Sequence, residues 1–265
     1  MNCLFWNVGR KPDINQYLVD VVSEHKIDLL VLAEYKDDKN ELLSMLSETD
    51  YTLYHVPQIA CMRIHIFSVY TPAQIAHIQD ASHYTIKRIP HPNLGLLTFT
   101  FVHFPSKLHT EEIDYLEESR LLKNDIEQAE DRLDSKLTVV AGDFNMNPFD
   151  QGMMMSTALH SFPTKDEVKR EKRIINGRSY TMFYNPMWNF FGDKDTPFGT
   201  YHYKSSHHKT LYWNVFDQVL VRPSLSENIS SSDIKILTQI NQKSLINKNG
   251  KPNVSDHLPL FFAIK

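Results

Sequence analysis

The sequence has few cysteines and no long hydrophobic run, and both absences narrow the class of protein. Cys3 and Cys61 are the two cysteines among 265 residues, too few for a disulfide framework or a four-thiolate zinc site. No apolar run reaches the roughly 18 residues of a membrane span. The N-terminus lacks the charged start and apolar core of a signal peptide, so we expect a cytoplasmic protein with both thiols reduced.

Repeats, low-complexity tracts and linkers rich in Pro, Gly or Ser are also missing from the sequence. Hydrophobic residues make up 42% and charged residues 23% of the chain, which is typical of a folded globular domain. Continuous apolar runs predict buried strands at 2–8, 28–33 and 137–142. Helical spacing predicts a helix over 110–133 with Thr110 as its cap. We therefore expect one α/β domain over residues 1–265, with a long insertion at about 150–212.

The net charge of -4 argues weakly against a general nucleic-acid coat protein, but the charge is unevenly spread. Residues 161–210 contain nine Lys/Arg against five Asp/Glu, together with ten aromatic residues. Basic charge interleaved with aromatic rings suits contact with phosphates and stacking on bases. The alternative is a solvated insertion with a small aromatic core of its own. On the first interpretation, the residues expected to bind substrate are Arg170, Lys172, Arg173, Arg178, Tyr184 and Trp188.

Residues able to bind a metal or a phosphate follow the ends of several apolar strands. They are Asn7, Glu34, His103, Asp143 with Asn145, Asp217, and Asp256 with His257. Because strand ends on one rim of a sheet can converge, we expect these side chains to form one site. Carboxylate and amide oxygens are the ligands that Mg²⁺ or Mn²⁺ prefers, and histidine titrates near neutral pH. The lack of thiolates in this set argues against a structural zinc site.

Each of these residues also has a plain structural explanation when it is taken alone. Asn7 can serve a turn, Glu34 can be a solvated strand end, and Asp143 can form an Asx turn. Asp217 is harder to explain in this way, because a carboxylate inside the apolar segment 212–223 needs a partner. The occurrence of all these residues in this order is what predicts a catalytic site.

Six short motifs together resemble the endonuclease/exonuclease/phosphatase superfamily, which includes deoxyribonuclease I, exonuclease-III-type repair enzymes, deadenylases, neutral sphingomyelinases and inositol-polyphosphate phosphatases. The motifs are WNVG at 6–9, LAE at 32–34, HFPS at 103–106, GDFNMNP at 142–148, FDQVL at 216–220 and SDHLPL at 255–260. They span nearly the whole chain in the family's order. The resemblance implies a two-layer β-sandwich with helices on both outer faces and a site on one rim of the two sheets.

The resemblance also implies a metal centre and its ligands. Glu34 is implied as the principal ligand of Mg²⁺ or Mn²⁺. Asn7 and Asp256 are implied as nearby ligands of the same ion or of a second one.

The catalytic roles implied by the resemblance fall on the remaining strand-end residues. Asp143 would position or activate the attacking water, and Asn145 would contact a phosphate oxygen or the metal. His257 would face the scissile phosphate, with Asp217 as its orienting carboxylate. His103 would be the second histidine, and the resemblance leaves open which histidine is the acid and which the base.

Two residues differ from the pattern of one branch of the family and indicate which branch the chain resembles. Gly9 stands where exonuclease-III-type enzymes carry an acid, and His103 stands where they tend to carry Tyr. The chain therefore resembles the two-histidine branch of deoxyribonuclease I, deadenylases and sphingomyelinases. We expect a metal-dependent phosphoesterase, first of all a nuclease acting on DNA or RNA. The alternatives are an enzyme for a small or lipid phosphate, and a catalytically idle binding domain. No segment indicates an obligate protein partner.

Overall fold

The computed structural model describes residues 1–107, 110–192, 197–204 and 211–265. Residues 193–196 and 205–210 of the predicted insertion lie outside the described residues. The strands up to residue 143 are β1 (Asn2–Asn7), β2 (Leu29–Ala33), β3 (Tyr54–Val56), β4 (Ile64–Ser68), β5 (Ala76–Asp80), β6 (Tyr84–His91), β7 (Gly95–His103) and β8 (Thr138–Asp143). The later strands are β9 (Ser161–Phe162), β10 (Lys172–Ile175), β11 (Arg178–Thr181), β12 (Phe183–Tyr184), β13 (Tyr201–His202), β14 (Trp213–Asn214), β15 (Asp217–Val221), β16 (Ile234–Ile236), β17 (Gln239–Ile240), β18 (Lys243–Ser244) and β19 (Leu260–Ala263).

Two mixed sheets carry most of these strands. The first sheet has the order β16-β19-β1-β2-β4-β3, and the second has the order β5-β6-β7-β8-β15-β12-β9. The central strands β1, β2, β8 and β15 are almost completely buried, as their continuous apolar sequences predict. The expected α/β sandwich is confirmed.

The core lies between the sheets and beneath the helices, and strand alternation divides it. Val139 and Ala141 of β8 belong to the cluster that both sheets share, whereas Val140 faces the other way. Successive side chains of a strand point to opposite faces, so one strand serves two apolar layers. Val140 packs in a second cluster that includes Leu122 and Ile126 on the outer helix of this sheet.

The helices are α1 (Asn15–His25), α2 (Lys39–Ser47), α3 (Glu112–Leu133), α4 (Gln151–Met154) and α5 (Lys165–Val168). The expectation that Thr110 caps α3 is wrong. Glu111 is the N-cap, and it forms a reciprocal capping box with Asp114. The two carboxylates satisfy backbone N–H groups of the first turn, where the helix dipole favours negative charge. Within the described ranges, no helix has the length and apolar character needed to cross a membrane.

The segment predicted as an insertion contributes to the sandwich as well as projecting from it. Strands β9 and β12 pair with each other, and β12 pairs with β15 at the edge of the second sheet. Strands β10 and β11 form a separate two-stranded hairpin. The exposed positions of this hairpin include four basic or polar side chains: Lys172, Arg173, Arg178 and Ser179.

Candidate active site

The ends of two parallel strand pairs place four of the predicted residues on one rim. Asn7 ends β1, and Glu34 directly follows its parallel neighbour β2. In the second sheet, His103 ends β7 and is paired with Asp143 at the end of β8. Parallel strands bring their carboxyl ends to the same edge, so the topology itself groups these side chains.

The antiparallel neighbours of these strands bring the other residues to the same rim. Asp217 opens β15 and pairs with Asp143. Asp256 and His257 precede β19, which runs antiparallel to β1. A cavity of about 830 Å³ opens at this rim, and its lining includes Asn7, Glu34, His103, Asp143, Asn145, Asp256 and His257. The eighth predicted residue, Asp217, is fully buried behind His257.

A buried carboxylate fixes the orientation of His257. Nδ1 of His257 lies 2.8 Å from Oδ2 of Asp217, and Nε2 lies 3.8 Å from Oδ2 of Asp143. The indole Nε1 of Trp6 donates to the carbonyl oxygen of His257 at 3.0 Å, which holds the backbone as well. Burial opposes protonation of the ring, but Asp217, Asp143 and Asp256 outweigh it and raise the pKa of His257 to about 10. The ring therefore presents Nε2 to the cavity as a hydrogen-bond donor.

Asp143 is held by donors on two sides. The side-chain amide of Asn7 donates to Oδ2 at 3.0 Å, and the backbone N–H of Asn145 donates to Oδ1 at 2.9 Å. Asn145 has a left-handed backbone with φ 51°, a conformation that asparagine tolerates better than most residues. Its own amide is fixed by donation to the carbonyl of Phe104 at 3.0 Å. Asp143 is thus a preorganised acceptor facing the cavity.

Glu34 is a half-buried carboxylate with two basic neighbours, His103 and Arg10. Nε2 of His103 lies 3.5 Å from Oε1, and Nε of Arg10 lies 3.2 Å from Oε2. Hydrogen bonding to His103 and the charges of His103 and Arg10 together overcome the effect of burial, and the pKa of Glu34 falls to about 2. Glu34 is therefore ionised at any physiological pH, as an oxygen ligand for a cation must be.

The donor set on this rim fits a hard divalent cation. Glu34 and Asp256 are partly exposed carboxylates on the cavity wall, which leaves room for the waters that Mg²⁺ retains. Among the described residues, one His/carboxylate group has its ligand atoms within 4.8 Å of one another, namely Asp143, Asp217 and His257. One pair of atoms in that group is already used by the hydrogen bond between Asp217 and His257. Glu34 and Asp256 remain the better candidates for binding the ion.

Several cavity residues were not anticipated from the sequence. The ring of Tyr201 lies 4.7 Å from that of His257 and stacks on Phe216 at 5.1 Å. Lys36 and Arg63 also line the cavity. Lys36 stands two positions after Glu34, so its closeness to a motif was an available signal. Arg63 and Tyr201 lie outside all six motifs, and only the tertiary structure brings them to the rim.

The six predicted substrate-binding residues do not line the cavity. Tyr184 pairs with Val221, whereas Asp217 occupies the opposite end of the same strand. At about 3.3 Å per residue, that separation is about 13 Å along β15. Tyr184 is also only 5% exposed, so neither face of its ring is open to a nucleic-acid base. The expectation that Tyr184 stacks on a base is therefore wrong.

The basic hairpin β10–β11 is attached at the same remote end of β15. The guanidinium of Arg222, which follows β15, donates to the carbonyl of Met182 next to the hairpin at 3.1 Å. Trp188 packs edge-on against Phe149, with ring centroids 6.3 Å apart. Phosphate contact by Arg170, Lys172, Arg173 and Arg178 stays a prediction, and it requires a ligand that extends well beyond the cavity.

The chain matches one protein family in sequence and several known structures in fold. A sequence model of the Endonuclease/Exonuclease/phosphatase family matches residues 4–257. No curated protein matches the chain significantly. The structure is similar to the endonuclease domain of TRAS1, a telomere-specific non-LTR retrotransposon, with 14% identity, a TM-score of 0.54, and coverage of 100% of this chain and 98% of that one.

Two further structures show the same likeness of fold. TDP2 of D. rerio, complexed with a single-strand DNA product, is 13% identical with a TM-score of 0.56, covering 100% of this chain and 98% of that one. An AP endonuclease from Archaeoglobus fulgidus is 14% identical with a TM-score of 0.56, covering 100% and 99%. The fold and the converging strand ends define a two-sheet sandwich with a cluster of polar side chains on one rim. The family match identifies it, and the chain belongs to the endonuclease/exonuclease/phosphatase family.

Proposed function

We propose that the protein is a divalent-metal-dependent phosphodiesterase that cleaves DNA or RNA. The observation that carries this proposal is the buried pair of Asp217 and His257. Nε2 of His257 lies 3.8 Å from Asp143, at the edge of a cavity that the ionised Glu34 also lines. The cavity thus combines a fixed acceptor for water, a fixed donor for a phosphate oxygen and carboxylates for a cation. Family members hydrolyse phosphoesters, and the nuclease assignment is the finer step that we propose.

The proposed reaction places each of these groups at a defined atom. Asp143 accepts a proton from the attacking water, whose oxygen forms the new bond to phosphorus. His257, oriented by Asp217, donates from Nε2 to a phosphate oxygen, and Asn145 lines the same cavity. The bond to the leaving oxygen breaks as that oxygen takes up a proton, with His103 and His257 as the available donors.

Glu34 and Asp256 would hold Mg²⁺ or Mn²⁺, with the carbonyl oxygen of the Asn7 side chain as a third ligand. When bound there, the ion supplies positive charge that offsets the charge developing on the phosphate oxygens. In the described structure this Asn7 oxygen accepts from the N–H of Gly9 at 3.0 Å, so it already points away from Asp143. The Asn7 side chain therefore contacts Asp143 with its amide nitrogen and leaves its oxygen for the metal side.

A lipid phosphodiester is the second candidate substrate, and one observation favours it. The loop 57–63 beside the cavity carries two strongly exposed apolar side chains, Ile59 at 73% and Met62 at 72%. Exposed apolar residues on a loop beside a catalytic cavity suit contact with an acyl layer.

A substrate panel distinguishes the two candidates. Purified protein with Mg²⁺ or Mn²⁺ is incubated with single-stranded DNA, double-stranded DNA, RNA, sphingomyelin vesicles and inositol phosphates. We expect cleavage of at least one polynucleotide, and no release of phosphocholine from the vesicles. Hydrolysis of the lipid without any cut polynucleotide would replace our proposal with the second candidate.

A further inference from the structure

Two cations occupy the wall of the cavity that belongs to the first sheet. The antiparallel register pairs Ala33 at the end of β2 with Ile64 at the start of β4. Arg63 therefore stands across from Glu34 on the neighbouring strand, and Lys36 follows two residues further along. Both cations are exposed and line the same cavity as the catalytic histidines.

These two cations have no carboxylate partner. Across the parts of the chain that the structure describes, neither Lys36 nor Arg63 has an Asp or Glu oxygen within ion-pair distance. The other cations near the rim are already paired, since Arg10 contacts Glu34 at 3.2 Å and Lys107 contacts Asp150 at 3.1 Å. Lys36 and Arg63 are thus free to meet an anion on the substrate.

The loop 57–63, which carries Arg63, is anchored by hydrogen bonds to two buried charged side chains. The carboxylate of Asp80, 2% exposed, accepts from the N–H groups of Ile59 at 2.8 Å and Ala60 at 3.0 Å. The ammonium of Lys87, 1% exposed, donates to the carbonyl of Pro57 at 3.3 Å. A loop braced in this way loses little conformational entropy when it binds a ligand, because its backbone is already ordered.

The position of the cations decides which anion they meet. In the proposed reaction the scissile phosphate lies among His257, Asn145 and Asp143. His257 precedes β19, and the strand order β19-β1-β2-β4 places Glu34, after β2, between His257 and Arg63. Arg63 lies on the far side of Glu34 from His257, and Lys36 lines the same cavity. We therefore expect a substrate with a single phosphate to leave these two cations without a partner. A polynucleotide carries one phosphate per nucleotide and supplies a second anion beside the first. A choline lipid carries one phosphate and a cationic head group, which these two side chains would repel.

We propose that Lys36 and Arg63 bind the phosphate next to the scissile phosphate, so that the enzyme selects substrates with two neighbouring phosphates. This inference rests on the proposed phosphodiesterase function. It makes the two residues specificity determinants for a polynucleotide, and it assigns them no part in the chemical step.

The test compares substrates that differ by one phosphate. A thymidine dinucleotide with a single phosphodiester is compared with the same dinucleotide carrying an added 5′- or 3′-phosphate. The readout is the ratio of kcat/KM with and without the added phosphate, because this ratio cancels any loss common to both substrates. For the wild type we expect a ratio of about 10 or more at one end, from a charge-assisted contact.

In Arg63→Gln and Lys36→Gln we expect the ratio to fall towards about 1, and Arg63→Lys should retain part of it. Arg132→Gln is the matched control, because Arg132 is also an exposed arginine but lies away from the cavity. It is near the end of α3, which leads into the start of β8, whereas Asp143 is at the other end of β8. Thermal unfolding and circular dichroism confirm that each variant is folded.

The outcomes separate this inference from the proposed function. Equal ratios in the wild type and in both glutamine variants would overturn the inference and leave the nuclease intact. Failure of the wild type to cut any dinucleotide or polynucleotide would overturn the nuclease. If inositol bisphosphate were then hydrolysed with the same dependence on Arg63, the contact with a second phosphate would be supported. That phosphate would then belong to a small molecule and not to a polynucleotide. Hydrolysis of sphingomyelin alone would overturn both.

Discussion

Replacing Asp217 by Asn tests whether this carboxylate and His257 act as one unit. Oδ2 of Asp217 accepts the hydrogen bond from Nδ1 of His257 at 2.8 Å, and both side chains are buried. An asparagine that turns its amide nitrogen to the ring would donate instead of accept. The ring would then carry its proton on Nε2 with Nδ1 as acceptor, and it could no longer form a cation stabilised by Asp217.

The expected loss is large for turnover, and some stability is lost as well. General acid–base catalysis contributes about 10²–10⁴-fold, and loss of an orienting carboxylate in a comparable triad costs up to about 10⁴-fold. We therefore expect kcat to fall by about 10²–10⁴. Oδ1 of Asp217 has no hydrogen-bond partner among the described residues, so a neutral amide removes a buried charge that is only half satisfied. Asp217 nevertheless stabilises the cationic form of the buried His257 ring, so the variant should stay folded with a lower melting temperature than the wild type.

The assay is a double-mutant cycle on kcat with a single cleavable substrate. Asp217→Asn, His257→Ala and the double variant are compared with the wild type at saturating Mg²⁺. If the two residues act as a unit, the double variant loses about as much as His257→Ala alone. Losses that multiply in the double variant would show that Asp217 and His257 act independently. An Asp217→Asn enzyme that is folded and fully active would show that Asp217 has no role in orienting His257.

Three further predictions concern the metal, the hairpin and the sheet. Exhaustive chelation should abolish hydrolysis, and Glu34→Gln should weaken Mg²⁺ binding in calorimetry; activity that survives chelation would disprove the metal assignment. Charge reversal of Arg170, which precedes the hairpin, and of Lys172 and Arg173 within it should lower polynucleotide affinity. It should also reduce the slope of log K against log salt by about 3, and an unchanged slope would contradict phosphate contact by these residues. Gly142→Ala should fail to fold or melt far lower, because the new Cβ would lie 2.0 Å from a carbonyl oxygen of the neighbouring strand.

The rim was predictable from the sequence because each motif is local. Asn7, Glu34, His103 and Asp143 directly end or follow apolar strands, and parallel pairing forces such ends onto one edge. Burial in an apolar strand indicated that Asp217 needs a partner, and the family resemblance implied that this partner is His257, which lies 2.8 Å away. The catalytic roles themselves stay predictions until they are measured.

What the sequence could not show is which residues of different segments meet. Composition marked residues 161–210 as basic and aromatic, but it did not specify that Tyr184 would be buried against β15, about 13 Å along the strand from Asp217. Arg63 carries no motif, and its place beside Glu34 depends on the register between β2 and β4. The burial of Tyr184 and the position of Arg63 both depend on contacts between distant segments. The local spacing of apolar and polar residues does not predict such contacts.

The proposed nuclease activity of this cavity is tested by cleavage of a labelled oligonucleotide by the wild type and by His257→Ala, purified identically. Both proteins are assayed on DNA and RNA with Mg²⁺ and again after chelation. We expect cleavage by the wild type with Mg²⁺, and its loss both after chelation and in the variant. Equal cleavage by the folded variant, or by the chelated wild type, would show that this cavity does not cut polynucleotides by the mechanism proposed.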